Sequence, residues 1–194
     1  LIFGELPTKE ELDKLVADIQ DNAIIDEDLK KILVSFPRSA HPMGILSSLT
    51  SALIAFNPEK KISLTKKTGD GHNYMYTLIV KLLAKIPILV AWVHRRRKGL
   101  SLDYGDYTQG YVENITKMMF QLPNQAYVKN DVIVNAMNKL LILHADHEQN
   151  CSTSTVRIVG SSEASLFASV SAGISALWGR LHGGANQAVL EMLE

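Results

Sequence analysis

The sequence predicts an all-α fold, and three observations carry that expectation. Apolar residues recur at helical spacing along almost the whole chain, cap and stop residues bracket those runs, and no stretch alternates at period two for long enough to build a sheet. Val156–Val159 is the best short candidate for a strand.

Thr8, with Glu11 three residues on, has the capping-box spacing, and Leu12, Leu15, Val16 and Ile19 then repeat at i, i+3, i+4 and i+7. Asp26 suits the start of a second helix that buries Leu29, Ile32 and Leu33 and stops before Pro37. After His41 and Pro42 a long apolar helix is expected over Met43–Phe56, ended by Asn57 and Pro58. Its small residues (Gly44, Ser47, Ser48, Ser51, Ala52, Ala55) would let neighbouring helices approach closely. Glu59–Gly71 is polar and lysine-rich, as an exposed connection would be. Two separate helices are expected next, Tyr74–Leu83 and Pro87–Arg97, the second with proline where a first turn tolerates it. The run Arg95–Lys98 then reads as a solvated helix end whose charges complement the dipole. Tyr104–Gly110 reads as a loop. Tyr111–Phe120, Val132–His144, the apolar Ser165–Leu177 and finally Gln187–Leu193 read as helices.

The balance of 20 Lys+Arg against 20 Asp+Glu leaves no net charge, which argues against a nucleic-acid binder, since neutralising phosphates needs a basic surplus. A hydrophobic fraction of 46% excludes a disordered tail. The lone Cys151 has no partner for an internal disulfide, which fits a reducing compartment, and a cytoplasmic location is expected. Leu1–Glu11 lacks the pattern of a signal peptide. Ile86–Val93 and Leu166–Trp178, the most apolar stretches, fall short of the ~20 residues that span a bilayer, so no membrane association is expected. The chain starts at Leu1 rather than methionine and stops at Glu194 inside a helical pattern, and it is expected to be a piece of something longer.

The densest polar cluster follows the apolar run Leu140–Leu143: His144, Asp146, His147, Glu148, Gln149 and Asn150, then Ser152–Thr155 and Arg157. Such a burst at the end of a core helix puts ionisable groups at the rim of an apolar interior, where a cleft would lie. His144 and His147, three apart, share a helix face. Three readings compete. Two histidines with acids nearby suit a metal, but the i, i+4 zinc-protease spacing and a second ligand cluster are absent. A plain helix C-terminus would use protonated histidine against the dipole. A site for a small anion would use imidazole and amide donors. The second constellation is Trp178-Gly-Arg-Leu-His182-Gly-Gly-Ala-Asn186. Its glycines allow left-handed or tightly turned backbone and let peptide N–H groups approach a ligand, and the following helix would point its N-terminus at the same place.

At these two motifs the sequence resembles citrate synthase, in its bacterial form. The matching words are His-Ala-Asp-His-Glu-Gln-Asn (144–150), Ser-Thr-Ser-Thr-Val-Arg (152–157), Val-Gly-Ser-Ser (159–162) and Leu-His-Gly-Gly-Ala-Asn (181–186), with His41-Pro42-Met43 upstream. The resemblance covers essentially the whole chain. It implies a multi-helix large domain, of which residues 1–194 would be part, with an N-terminal segment and a C-terminal small domain absent. It implies condensation of acetyl-CoA with oxaloacetate and water to give citrate and CoA, the first step of the tricarboxylic acid cycle, with acetyl-CoA as substrate and no further cofactor or metal.

By the same resemblance His182 is the catalytic histidine, neutral and donating to the thioester oxygen while a carboxylate takes the methyl proton. Ser152 holds that imidazole from behind. His147 and Asn150 bind oxaloacetate, and His144 orients their turn or touches the ligand. Leu181, Gly183 and Gly184 lie against the nucleotide part of CoA. The family's second histidine, catalytic aspartate and carboxylate-clamping arginines follow the His-Gly-Gly turn at greater distance than Glu194, so the chain alone is expected to be inactive. Arg180 stands where the family usually has proline. The family implies a homodimer, and the small-residue helices Met43–Phe56 and Ser165–Leu177 are candidates to pack across its two-fold axis. Two alternatives stay open: 2-methylcitrate synthase, which uses propionyl-CoA, and a non-catalytic helical dimerisation scaffold.

Overall fold

The computed structural model describes residues 4–57, 70–145 and 148–194, and among them it is built from nine α-helices with no strand. They are α1 (Lys9–Asp21), α2 (Asp28–Ser35), α3 (Pro42–Phe56), α4 (Asp70–Lys98), α5 (Tyr111–Phe120), α6 (Asp131–Ala145), α7 (Cys151–Gly160), α8 (Leu166–Leu177) and α9 (Gly183–Leu193). Helices pack in the order α7–α8–α3–α4–α5–α6, with α1 laid on α4 and α2 on α3. The buried core runs along that line, from Phe167 of α8 through Leu49 and Leu53 of α3 and Trp92 of α4 to Met118 of α5.

Local chemistry sets most boundaries where the sequence puts them. Thr8 and Glu11 form the full reciprocal capping box, and Asn57 closes α3 by turning its side-chain amide back to the Leu53 carbonyl at 2.9 Å. Asp26 accepts from the Asp28 N–H at 2.9 Å at the entrance to α2. The apolar stripe of α1 is only half covered, for Leu12 and Val16 stay exposed. Trp92 and Met118 are fully buried core residues. The expected connection Glu59–Gly71 lies mostly outside the described residues, and α4 is already helical from Asp70.

Three expectations fail for physical reasons. Val156–Val159 is the second half of α7, not a strand, because Asn150 caps a helix just upstream: its side-chain oxygen accepts from the Thr153 N–H at 3.0 Å. The two helices expected at Tyr74–Leu83 and Pro87–Arg97 are one, with Pro87 in its interior. Proline there has no N–H for the Leu83 carbonyl four residues back, and the Tyr111 hydroxyl of α5 donates to that carbonyl instead, at 2.8 Å. With the break gone, Tyr74–Lys98 is long and apolar enough to cross a membrane by length and composition, but 56% of its most apolar window is buried inside the fold, as in a core helix. The basic run is not simply solvated. Arg95 is 2% exposed; it donates to the carbonyls of Ser101, Met118 and Gln121, closing the end of α5. Arg96 donates to the Val34 and Phe36 carbonyls at the end of α2 at 2.8 and 2.7 Å.

Lys85, 8% exposed, brings its ammonium from α4 to the Ile24 carbonyl. Burial, with Lys81 adding repulsion, pulls its pKa below the ordinary lysine value.

Two outcomes follow from these contacts. Tyr111→Phe strands the Leu83 carbonyl and is expected to cost about 1 kcal/mol by urea denaturation; in a Pro87→Ala background, where an N–H refills that carbonyl, the penalty shrinks. For Lys85 the folded pKa lies below the unfolded one, so between the two the unfolded chain binds more protons and stability rises with pH. Wild-type stability, measured against Lys85→Met, is expected to climb as pH rises towards the ordinary lysine pKa of about 10.4; a flat difference would contradict it.

Candidate functional site

The site assembles where α7, α8 and the start of α9 meet. On α8, Gly173 is buried, and a Cβ there would come within 2.5 Å of Val156 Cγ2 and 3.5 Å of the Ser152 carbonyl oxygen. Valine is stiff about χ1 and cannot swing clear, so the bare glycine is what lets α7 lie against α8. On the opposite side α8 meets α3 through small hydroxyl residues. Ser47 donates to the Ser171 carbonyl at 3.0 Å, Ser171 donates back to the Ser47 carbonyl at 2.8 Å, and Ser47 and Ser175 hydroxyls meet at 2.7 Å. The two small-residue helices expected to face a second copy thus pack on each other within one chain.

That spacing brings together two of the expected site residues. Ser152, in the first turn of α7, places its hydroxyl 2.6 Å from His182 Nε2. His182 is the half-buried N-cap residue of α9, reached from α8 through a tight turn in which its own N–H donates to the Gly179 carbonyl at 2.9 Å. The helix after the turn begins at Gly183, four residues before the expected Gln187.

Of the two backbone forms the glycines allow, the structure has the tight turn and not the left-handed one. Gly183 and Gly184 open a right-handed helix and neither has positive φ. A Cβ on Gly183 would sit 2.3 Å from the Leu177 carbonyl oxygen, and one on Gly184 3.3 Å from that of Gly179. Glycine is required because the backbone folds back onto the end of α8. Leu181 beside them is 93% exposed.

The first cluster is less gathered. His144 ends α6 exposed, with its Nδ1 2.7 Å from the Leu140 carbonyl on its own helix. Asn150 has its side-chain oxygen engaged in capping α7. Gln149 bridges Ser154 and Arg157, both at 3.1 Å. His147 and Asp146 lie outside the described residues. Among the described residues no three His, Cys, Asp or Glu side chains gather as a metal site would need. Reading the sequence missed Gly173; its only signal was a glycine inside an otherwise apolar helical run.

Gly173→Ala is expected to push α7 off α8, lowering stability by about 1–3 kcal/mol in denaturation and lengthening the Ser152–His182 contact. Unchanged stability would mean that Val156 has room to yield.

Comparison with known proteins places this arrangement. The family model described as citrate synthase, C-terminal domain, matches residues 1–194. Citrate synthase of Corynebacterium glutamicum is 48% identical over 199 residues, covering 100% of this chain and 43% of that protein. Citrate synthase 1 of Mycobacterium tuberculosis is 47% identical, covering 100% of this chain and 44% of that protein. The chain therefore spans less than half the length of these relatives. Among solved structures, citrate synthase from Pyrobaculum aerophilum superposes with a TM-score of 0.87 at 30% identity, over 96% of this chain and 46% of that one. The ternary complex of the Thermoplasma acidophilum citrate synthase with carboxymethyl coenzyme A and oxaloacetate shares the fold at a TM-score of 0.83 and 22% identity, over 96% of this chain and 46% of that one.

Proposed function

Since this chain belongs to the citrate synthase family, we propose that it is part of an acyltransferase that condenses acetyl-CoA with oxaloacetate and water to give citrate and CoA, using no cofactor beyond these substrates. The observation that carries the reading is the 2.6 Å contact between Ser152 and His182.

The chemical problem is the weak acidity of a thioester methyl group. A carboxylate that removes the proton needs the developing enolate oxygen to be stabilised at the same moment, and a neutral imidazole N–H does this without giving up its proton. With the Ser152 hydroxyl donating to Nε2, the His182 ring carries its proton on Nδ1, and that nitrogen faces the thioester oxygen. A hydroxyl fixed in the first turn of a helix thus selects the tautomer and the orientation of the donor.

Oxaloacetate is held by His147 and Asn150. Because the Asn150 oxygen is engaged with Thr153, its amide NH2 is the part that donates to the substrate. His144, with Nδ1 turned to Leu140, orients the segment. The exposed main chain at Leu181, with Gly183 and Gly184, lies along CoA. The carboxylate base and the second histidine belong to the part of the family's length that this chain does not span. Residues 1–194 form part of the large helical domain of a cytoplasmic homodimer, and the exposed apolar side chains Ile142 and Leu143 of α6 and Met192 and Leu193 of α9 supply surface for that assembly.

The test is release of CoA from acetyl-CoA and oxaloacetate. In the protein carrying the family's full length, His182→Ala is expected to lower kcat ~10²–10⁴-fold and Ser152→Ala ~10-fold or more, while His147→Ala chiefly raises the oxaloacetate KM. The 194-residue chain alone is expected to release none. Preference for propionyl-CoA would instead mark a 2-methylcitrate synthase, and no turnover with either thioester would leave a scaffold.

A further inference from the structure

Trp178 ends α8, and its indole is seated on the start of α3. It stacks on the His41 imidazole with ring centroids 4.8 Å apart and planes 22° from parallel. Its far edge lies over Gly44 so closely that a Cβ there would touch indole carbons at 3.3 Å. His41 is itself held, because its Nδ1 accepts the Met43 N–H at 3.2 Å as the N-cap of α3. A cleft of about 380 Å³ opens beside the stack, lined by Ser47, Ser48 and Ser175 among others, and leaves the indole 47% exposed.

Beyond Trp178 the chain touches the end of α8 by backbone, through the Gly179 N–H on the Ala176 carbonyl at 3.0 Å and the close approach of Gly183 to Leu177. Gly179, Arg180 and Leu181 are all exposed. The main-chain bonds of the turn, from His182 and Gly184 N–H to the Gly179 carbonyl, are internal to it. Such bonds fix its shape but not its position on the protein. Side-chain contacts with other helices that locate it include Ser152 on the imidazole and the seat of Trp178 where the turn leaves α8.

From this arrangement we infer that Trp178 is a positioning residue for His182: its seat between His41 and Gly44 sets the point from which the 179–182 turn departs and so holds the imidazole at Ser152. A rigid two-ring side chain suits that task, since a small rotation at the root of a short turn displaces the ring at its end. Arg180 makes the seat more necessary. Where a proline would stiffen the turn, arginine leaves the backbone freer, and the restraint comes from the neighbouring tryptophan. The expected effect on turnover rests on the citrate synthase reading of His182, whereas the placement of the ring does not.

The experiment follows the ring nitrogens of His182 by ¹⁵N NMR in the 194-residue chain. Wild type is expected to show one dominant neutral tautomer, Trp178→Ala a mixture close to that of free imidazole, and Trp178→Phe, which keeps a flat ring for His41, the wild-type pattern. In the protein of full family length, Trp178→Ala is expected to lower kcat ~10- to 100-fold with the oxaloacetate KM within about twofold, and Trp178→Phe to recover most of the loss. A folded Trp178→Ala chain with the wild-type tautomer would overturn the inference. Should that variant fail to fold by circular dichroism, His41→Ala, which removes one face of the seat, is judged by the same criterion. A changed tautomer with unchanged turnover would refute the catalytic role of His182 and leave the positioning inference standing.

Discussion

The close approach of α7 to α8 is the constraint on which the candidate site depends. It exists because position 173 carries no side chain against a valine that cannot move aside. At that separation the first turn of α7 brings a hydroxyl to the imidazole of His182, beyond the turn that follows α8. On its other flank α8 is tied to α3 by serines that exchange hydrogen bonds with each other's backbone. A helix so gripped from two sides is a firm base from which to launch a short turn, and the placement of the His182 imidazole is inherited from it.

The parts of this arrangement legible in the sequence are those decided by neighbours along the chain. Capping residues, periodic apolar stripes and terminating prolines act within a turn or two, so the box at Thr8, the span Tyr111–Phe120 and the helical class could all be read directly. The pairing of Ser152 with His182 came from the likeness to a family, not from spacing, because a separation of thirty positions along the chain carries no geometric information of its own. His144 shows the opposite limit: a histidine in a polar cluster invites a role in the cleft, yet its ring nitrogen turns to a carbonyl one helical turn behind.

What stayed illegible has a common cause. Backbone polar groups left over at helix ends and at an internal proline must find partners, and here the partners are distant in sequence. Arg95 and Arg96 look like a solvated basic run until the carbonyls ending α5 and α2 are seen around them. The glycines after His182 leave left-handed and tightly turned backbone equally open in the sequence, whereas the space around them shows that here they let backbone touch backbone. In each case the residue type was informative and the tertiary contact decided its meaning.

The hydroxyl of Tyr111 on the Leu83 carbonyl has a consequence for how the molecule breathes. A helix interrupted by proline would ordinarily have a weak point at which its two halves could open separately. Here the missing bond is supplied from α5, so opening α4 at this point also breaks a contact with α5. The two helices are thereby coupled in local unfolding, and the resistance of the turn around Pro87 to opening is a property of their contact as well as of α4.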